Sequence, residues 1–216
     1  PSHIVISVIL DDLKARGLIQ DHTDEVALRA RLSNGPITVY CGFDPTADSL
    51  HVGNLVPLLL LRRFQEHGHR PIALAGGATG MIGDPSGRSE ERNLLDDTTI
   101  DRNLEVIKVQ LGSLLDIGGV ARMVDNRDWM VNKTALEFLR DVGKLITINT
   151  MLAKESIRTR LEGEHGISYT EFSYMLLQAN DFVELFDGYG CEMQVGGSDQ
   201  WGNITGGIDL TRRLHG

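Results

Sequence analysis

Apolar residues recur along this chain in two ways: short β-branched runs that stop at glycine, and longer runs at helical spacing. Pro36-Ile37-Thr38-Val39-Tyr40, bounded by Asn34-Gly35, reads as a buried strand over about 37 to 41. The following helix, 53 to 67, carries Leu55, Val56, Leu58, Leu59, Leu60, Leu61 and Phe64, too many apolar residues for one stripe. That pattern predicts a helix buried between layers. Arg70-Pro71-Ile72-Ala73-Leu74-Ala75-Gly76 is a second strand, set off by His67-Gly68, so the unit is strand, helix, strand.

The same reading extends along the rest of the chain. Residues 2 to 19 predict a helix closing near Arg16-Gly17, and Asp24 to Leu32 a second, more polar one. Leu104, Ile107, Leu111 and Leu114 keep helical spacing in a covering helix from Ile100, and Val120 to Val124 reads as a third strand. Helices are predicted around Ala135 to Val142 and Thr150 to Glu162, and another over 170 to 182. Glu192 to Val195 returns to a strand, with Ser198 as the N-cap of a last helix. Strands alternating with helices predict an α/β fold, a doubly wound parallel sheet of Rossmann-like type.

Composition narrows the class. The 216 residues suffice for one large domain or a domain with an insertion, and 41% hydrophobic with 24% charged residues is globular. No apolar run approaches a membrane span, and the N-terminal Ile4-Val5-Ile6 stretch lacks a basic flank and a cleavage motif, so a cytoplasmic protein is expected. Cys41 and Cys191 form no Cys-x-x-Cys pair, and the seven histidines form no metal-binding pairing. A metal would arrive as magnesium on a nucleotide. The net charge of −9 is opposite to that of a general nucleic-acid binder, so a polynucleotide partner would need local patches or a further module.

Three polar stretches stand at the ends of the predicted strands, where open α/β sheets bind ligands. The first is Tyr40-Cys41-Gly42-Phe43-Asp44-Pro45-Thr46-Ala47, leading to Leu50-His51-Val52-Gly53-Asn54 at a helix N-terminus, whose free N–H groups suit an anion. The second, Gly76-Gly77-Ala78-Thr79-Gly80-Met81-Ile82-Gly83-Asp84-Pro85-Ser86-Gly87, is one residue short of a P-loop, with Arg88 in place of its Lys. Its glycines either shape a ligand loop or only permit tight turns. The third is Val195-Gly196-Gly197-Ser198-Asp199-Gln200-Trp201-Gly202-Asn203. In the helix over 170 to 182, Tyr174, Gln178 and Asp181 stand at i, i+4 and i+7 within apolar surroundings. Such a stripe either faces water or lines a cavity.

Taken together, these stretches resemble tyrosyl-tRNA synthetases, within the class I aminoacyl-tRNA synthetases whose first signature is written His-Ile-Gly-His. The resemblance covers nearly the whole chain, with Asn54 in place of the signature's second histidine. It implies activation of L-tyrosine with ATP, magnesium being the nucleotide's counter-ion, and transfer to tRNA(Tyr) by a homodimer. It assigns catalytic phosphate contacts to Thr46, His51, Arg88 and Arg92, the last two in a mobile loop that otherwise reads as a charge-balanced solvated segment. Tyrosine contacts fall to Tyr40, Asp84, Asn126, Tyr174, Gln178, Asp181 and Gln200. Asn126, in Asp125-Asn126-Arg127-Asp128-Trp129, could equally be a turn-forming asparagine. ATP contacts fall to Cys41, Gly42, Asp44, Gly53, Asn54, Gly196 and Asp199.

By the same resemblance, residues 1 to 34 are N-terminal helices, 35 to 130 and 170 to 216 are nucleotide-binding halves, and about 131 to 169 is a connective insertion used for dimerisation. The insertion's composition alone would read as a solvated helical pair. The family's second signature, Lys-x-x-Lys-Ser, and its anticodon-binding part are expected beyond residue 216, so these residues on their own should be poorly active. Rival readings are a tryptophanyl-tRNA synthetase, another nucleotidyltransferase, and a silent tyrosine-binding protein. Tyr40 opposite Asp181 favours tyrosine, since the pair can donate to and accept from a phenol.

Overall fold

The computed structural model describes residues 8–87, 94–163 and 166–216. Two helices, α1 (Ile9–Ala15) and α2 (Glu25–Ser33), precede strand β1 (Thr38–Phe43). Helix α3 (Val52–Glu66), β2 (Arg70–Ala75), α4 (Asp97–Leu114) and β3 (Arg122–Asp125) follow. The chain then runs through α5 (Arg127–Met130), α6 (Ala135–Asp141), α7 (Ile148–Leu152) and α8 (Glu155–Glu162) into the long α9 (Tyr169–Tyr189). Strand β4 (Cys191–Gln194) and α10 (Trp201–His215) complete it. The sheet order is β3-β2-β1-β4, with every pairing parallel. The chain winds outward from β1 to β3 and then returns to β1's other side, which makes the carboxyl ends of β1 and β4 the topological switch point.

Strand alternation assigns the two faces. Val39, Cys41, Phe43 and Ala73 pack against Leu58, Leu61 and Phe64 of α3, Ile107 and Leu111 of α4, and Ile9 and Leu13 of α1. Tyr40, Ile72, Leu74 and Val124 point the other way, onto Phe182 and Leu185 of α9. The sheet is therefore covered on both faces, as the near-continuous apolar strands require. Below α9, Val142, Met151 and Ile157 pack on Met175, Leu176, Val183 and Leu210 as a separate cluster. A fully buried Arg160–Glu171 ion pair ties α8 to the first turn of α9.

The ends of α9 show local chemistry at work. Ser168 accepts from the Glu171 N–H at the N-terminus, and Gly190 closes the helix at φ 59°, a left-handed conformation suited to glycine.

Several boundaries differ from those predicted. Residues 1–7 of the first predicted helix lie outside the described residues, and the described helix begins at Ile9. Helix α3 is not buried all round: Val52, Leu55, Val56 and Leu59 are exposed, because the described residues supply a layer on one side only. The third strand starts two residues late, after a turn with Gly118 at φ 89°. The predicted 150-to-162 helix is two helices, with Thr147 capping the first and a break at Lys154. Ser198 caps nothing: Gly197 precedes a 3-10 turn over Ser198–Gln200, and α10 grows directly out of that turn.

Candidate functional site

A cavity of about 330 Å³ opens at the switch point, lined by the ends of β1, β2 and β4, the N-terminus of α3 and the middle turns of α9. It collects Tyr40, Cys41, Gly42, Asp44, Thr46, His51, Gly53, Asn54, Asp84, Tyr174, Gln178, Asp181, Gly196, Asp199 and Gln200. Of the residues singled out from sequence, Asn126 is not in the lining, and Arg88 and Arg92 lie outside the described residues.

The floor is polar and deeply buried. Asp181 accepts from the Trp129 indole Nε1–H at 2.8 Å and from Asn126 Nδ2 at 3.0 Å. Burial pushes its carboxyl up to about 7, against the lowering effect of these two donors, with Asp44 and Glu184 adding to the rise. Asn126 is fully enclosed and fully used. Its Oδ1 accepts from the Ala78 N–H at 2.7 Å, and its Nδ2 also donates to Thr79 Oγ1 at 3.0 Å. It therefore holds Asp181 and the loop after β2 in place, and it is not among the residues lining the cavity.

Tyr40 is 0% exposed, and its hydroxyl makes no hydrogen bond among the described residues. Burial first, and the Asp181 charge second, raise that phenol well above its ordinary range. The Oε1 atoms of Gln178 and Gln194 are likewise buried without partners, and both residues line the cavity. Three unpaired polar atoms around one space are costly unless a ligand engages them, at about 1–3 kcal/mol each.

A second cluster rims the cavity. Thr79 Oγ1 donates to Asp44 Oδ1 at 2.7 Å, and the Tyr174 hydroxyl donates to Asp44 Oδ2 at 2.8 Å. A side chain at Gly76 would run into Asp44 and Thr79, so glycine is needed where β2 turns beneath this cluster. Asp84 accepts from the Ser86 N–H at 2.9 Å and from Gln200 Nε2 at 2.8 Å, while Gln178 Nε2 donates to Gln200 Oε1 at 3.2 Å. Asn203, buried behind, donates to Gln200 Oε1 and to Ser86 Oγ, tying the loops after β2 and β4 together. Asp44, Asp84, Asp181 and Asp199 give the lining four carboxylates, and its described residues include no Lys or Arg. Such a space attracts an ammonium group.

At the opposite rim, His51 is the N-cap of α3. Its Nδ1 accepts from the Gly53 N–H at 3.0 Å, while Asn54 Oδ1 accepts from the His51 N–H at 3.1 Å. Asn54 thus completes a reciprocal cap, a role that a histidine ring would fill less directly. With Nδ1 accepting, the neutral ring carries its proton on Nε2, where it can donate. A Cβ at position 53 would sit 2.8 Å from His51 Cε1, so the glycine is what lets the ring lie over the helix end.

Gln194, Thr79, Ser86, Trp129 and Asn203 were not assigned from sequence. Gln194 carried no signal in sequence; its place follows from its register with Tyr40 across β1 and β4, which turns it to the same side. Trp129 had a usable one, an indole N–H inside a polar turn, which needs an acceptor when buried.

The family description "tRNA synthetases class I (W and Y)" matches residues 32–216. The tyrosine–tRNA ligase of Opitutus terrae is 66% identical over 96% of this chain and 50% of its own length. That of Rhodopirellula baltica is 57% identical over 96% of this chain and 48% of its own. The chain thus spans about half the length of these relatives. Among solved structures, a C-terminally truncated mitochondrial tyrosyl-tRNA synthetase from Aspergillus nidulans superposes with a TM-score of 0.88 at 34% identity, covering 96% of this chain and 62% of that one. With its parallel sheet, its cavity at the switch point and its match over residues 32–216, the chain belongs to the class I tRNA synthetases of the tryptophan and tyrosine type.

Proposed function

We propose that this chain carries the amino-acid-activating site of a tyrosine–tRNA ligase, which joins L-tyrosine to ATP as tyrosyl-adenylate and passes it to tRNA(Tyr). The observation that carries the reading is the buried pair at the cavity floor, the unpartnered Tyr40 hydroxyl beside the lining carboxylate of Asp181. A phenol can accept from Tyr40 and donate to Asp181, whereas an indole or a phenyl ring cannot do both. The ammonium goes to the Asp84, Tyr174 and Gln178 side, and the carboxylate to the Gln200 side. Calorimetric titration of L-tyrosine against L-phenylalanine tests this. Saturable tyrosine binding with at least tenfold weaker phenylalanine supports it, and equal binding of the two refutes it.

In the activation step, a tyrosine carboxylate oxygen forms a bond to the α-phosphorus of ATP, and the bond to the pyrophosphate oxygen breaks. No protein nucleophile takes part, so the chain contributes position and charge stabilisation. His51 Nε2–H, the Thr46 hydroxyl and the N-terminus of α3 donate to phosphate oxygens on which negative charge builds. Arg88 and Arg92 approach the departing pyrophosphate, and Gly53 and Gly196 let the nucleotide lie close to the backbone, with Asp199 on the ribose. Magnesium enters on the phosphates as the nucleotide's counter-ion. Among the described residues no three His, Cys, Asp or Glu side chains converge as a metal site of their own.

Residues 131 to 169 act as the connective insertion and dimer contact in this reading, supported by the exposed Leu136, Leu139, Ile148 and Leu152 there. The tRNA is engaged by the whole protein. Among the described residues no helix is long and apolar enough to cross a membrane, and a cytoplasmic site of action fits the proposed role.

A further inference from the structure

A second cavity, about 240 Å³, lies at the opposite end of the sheet, between the amino ends of β1, β2 and β3 and the last turn of α9. Register places its polar residues on one face. Thr38 is opposite Arg70, Ile72 is opposite Arg122, and alternation turns Thr38, Arg70, Ile72 and Arg122 toward α9. The face that carries the tyrosine-type pocket toward one end thus carries two guanidinium groups toward the other: Tyr40 is in register with Ile72, two residues or about 7 Å along the strand from Arg70.

These guanidiniums differ from eight of the fourteen arginines among the described residues and share the lack of a salt bridge with Arg102, Arg158, Arg212 and Arg213. Arg16, Arg29, Arg31, Arg62, Arg63, Arg127, Arg140 and Arg160 all pair with carboxylates. Among the described residues no carboxylate pairs with Arg70 or Arg122, although acids outnumber Lys and Arg by 30 to 21 in the whole chain. Arg122 instead lies 5.8 Å from the centroid of the Tyr189 ring, and Arg70 Nε donates to Thr38 Oγ1 at 3.3 Å, both arginines being exposed at the mouth of the cavity. The Thr38 hydroxyl proton and the remaining guanidinium N–H groups are available as donors. Gly188 in the wall adds no side chain to crowd the space.

We propose that this cavity is a binding site for a phosphate dianion, free or as a monoester, held by Arg70 and Arg122 with Thr38 as a third donor. Two fixed positive charges complement a dianion better than a monoanion, and guanidinium forks match phosphate oxygens in pairs. Its lining shares no residue with the adenylate-forming cavity, although both draw on β1, β2 and helix α9.

The test is calorimetric titration of inorganic phosphate, and separately of glycerol 3-phosphate, into the full-length protein at constant ionic strength. Parent, Arg70→Gln, Arg122→Gln and the double variant are compared, so phosphate bound at the other cavity is common to all four. The expected result is a saturable site weakened at least tenfold in each single variant and lost in the double, with the tighter titrant showing whether the ligand is free or esterified. Dimethyl phosphate, a monoanion, should bind at least tenfold more weakly. Should a variant fold poorly, phenylglyoxal modification of the parent gives the same answer. Phosphate should protect Arg70 and Arg122 in peptide mapping, and chloride of equal ionic strength should not. Equal isotherms in parent and double variant, absence of protection, or equal binding of dimethyl phosphate would each overturn the proposal.

Discussion

Replacing Asp181 by Asn separates two roles that its carboxylate combines. The native carboxyl is 1% exposed, and burial raises its pKa to about 7 from 3.8. In the unfolded chain it ionises near the lower value, so between about pH 4 and pH 7 the folded protein retains a proton that the unfolded chain has released. Stability therefore falls as pH rises through that window and levels off above about 7. At about 1.4 kcal/mol per unit, the interval amounts to about 4 kcal/mol, a large share of the 5–15 kcal/mol typical of a domain. Asparagine removes this slope. Its amide can satisfy only one of the donors Trp129 Nε1–H and Asn126 Nδ2–H, and the other loses its acceptor at about 1–3 kcal/mol, independent of pH.

The two effects have opposite signs, so the stability curves of parent and variant should cross. The variant is the less stable near pH 4 and the more stable near pH 8. Urea unfolding of ligand-free protein at half-unit steps measures this, and the difference between the two curves cancels every titration they share. Curves that stay parallel across the window would refute the assigned pKa and the reasoning built on it. Tyrosine binding by the parent should also weaken as pH falls below about 7, because the ionised carboxylate is the better acceptor for a phenol.

Other expectations rest on separate contacts. Tyr40→Phe deletes a hydroxyl that is buried without a partner, so the ligand-free protein should gain about 1 kcal/mol while the preference for tyrosine over phenylalanine falls, read from melting and from paired titrations. Arg160→Ala leaves the Glu171 carboxylate buried and unpaired and should cost about 3–5 kcal/mol in urea unfolding, whereas a loss below about 1 kcal/mol would contradict the burial of the pair. Gly53→Ala pushes against the His51 ring and should slow adenylate formation by about a hundredfold, with little change in tyrosine affinity.

The parts of the site legible in sequence are those where chemistry and period coincide. Tyr174, Gln178 and Asp181 keep helical spacing in an otherwise apolar helix, and they do line one cavity. His51, Gly53 and Asn54 mark a helix start by residue type alone. What escaped depends on partners distant in the chain. The part played by Asn126 emerges only once Ala78, Thr79 and Asp181 stand around it. Gln194 reads as an ordinary strand residue until its register with Tyr40 is known. The apolar density of α3 pointed to burial on all sides, but exposure is set by neighbouring layers, which local pattern does not contain. Ser198 fits the composition of a cap, but the 3-10 turn that follows leaves its side chain no helix N–H to satisfy.

Amino-acid-dependent exchange of labelled pyrophosphate into ATP, measured on the full-length protein with tyrosine, phenylalanine and tryptophan in turn, tests the central claim most directly. Exchange driven by tyrosine, at least a hundredfold above that with either other amino acid and lost in His51→Ala, is the predicted result. Exchange driven equally by tryptophan, or tyrosine-dependent exchange that survives the loss of His51 unchanged, would contradict it.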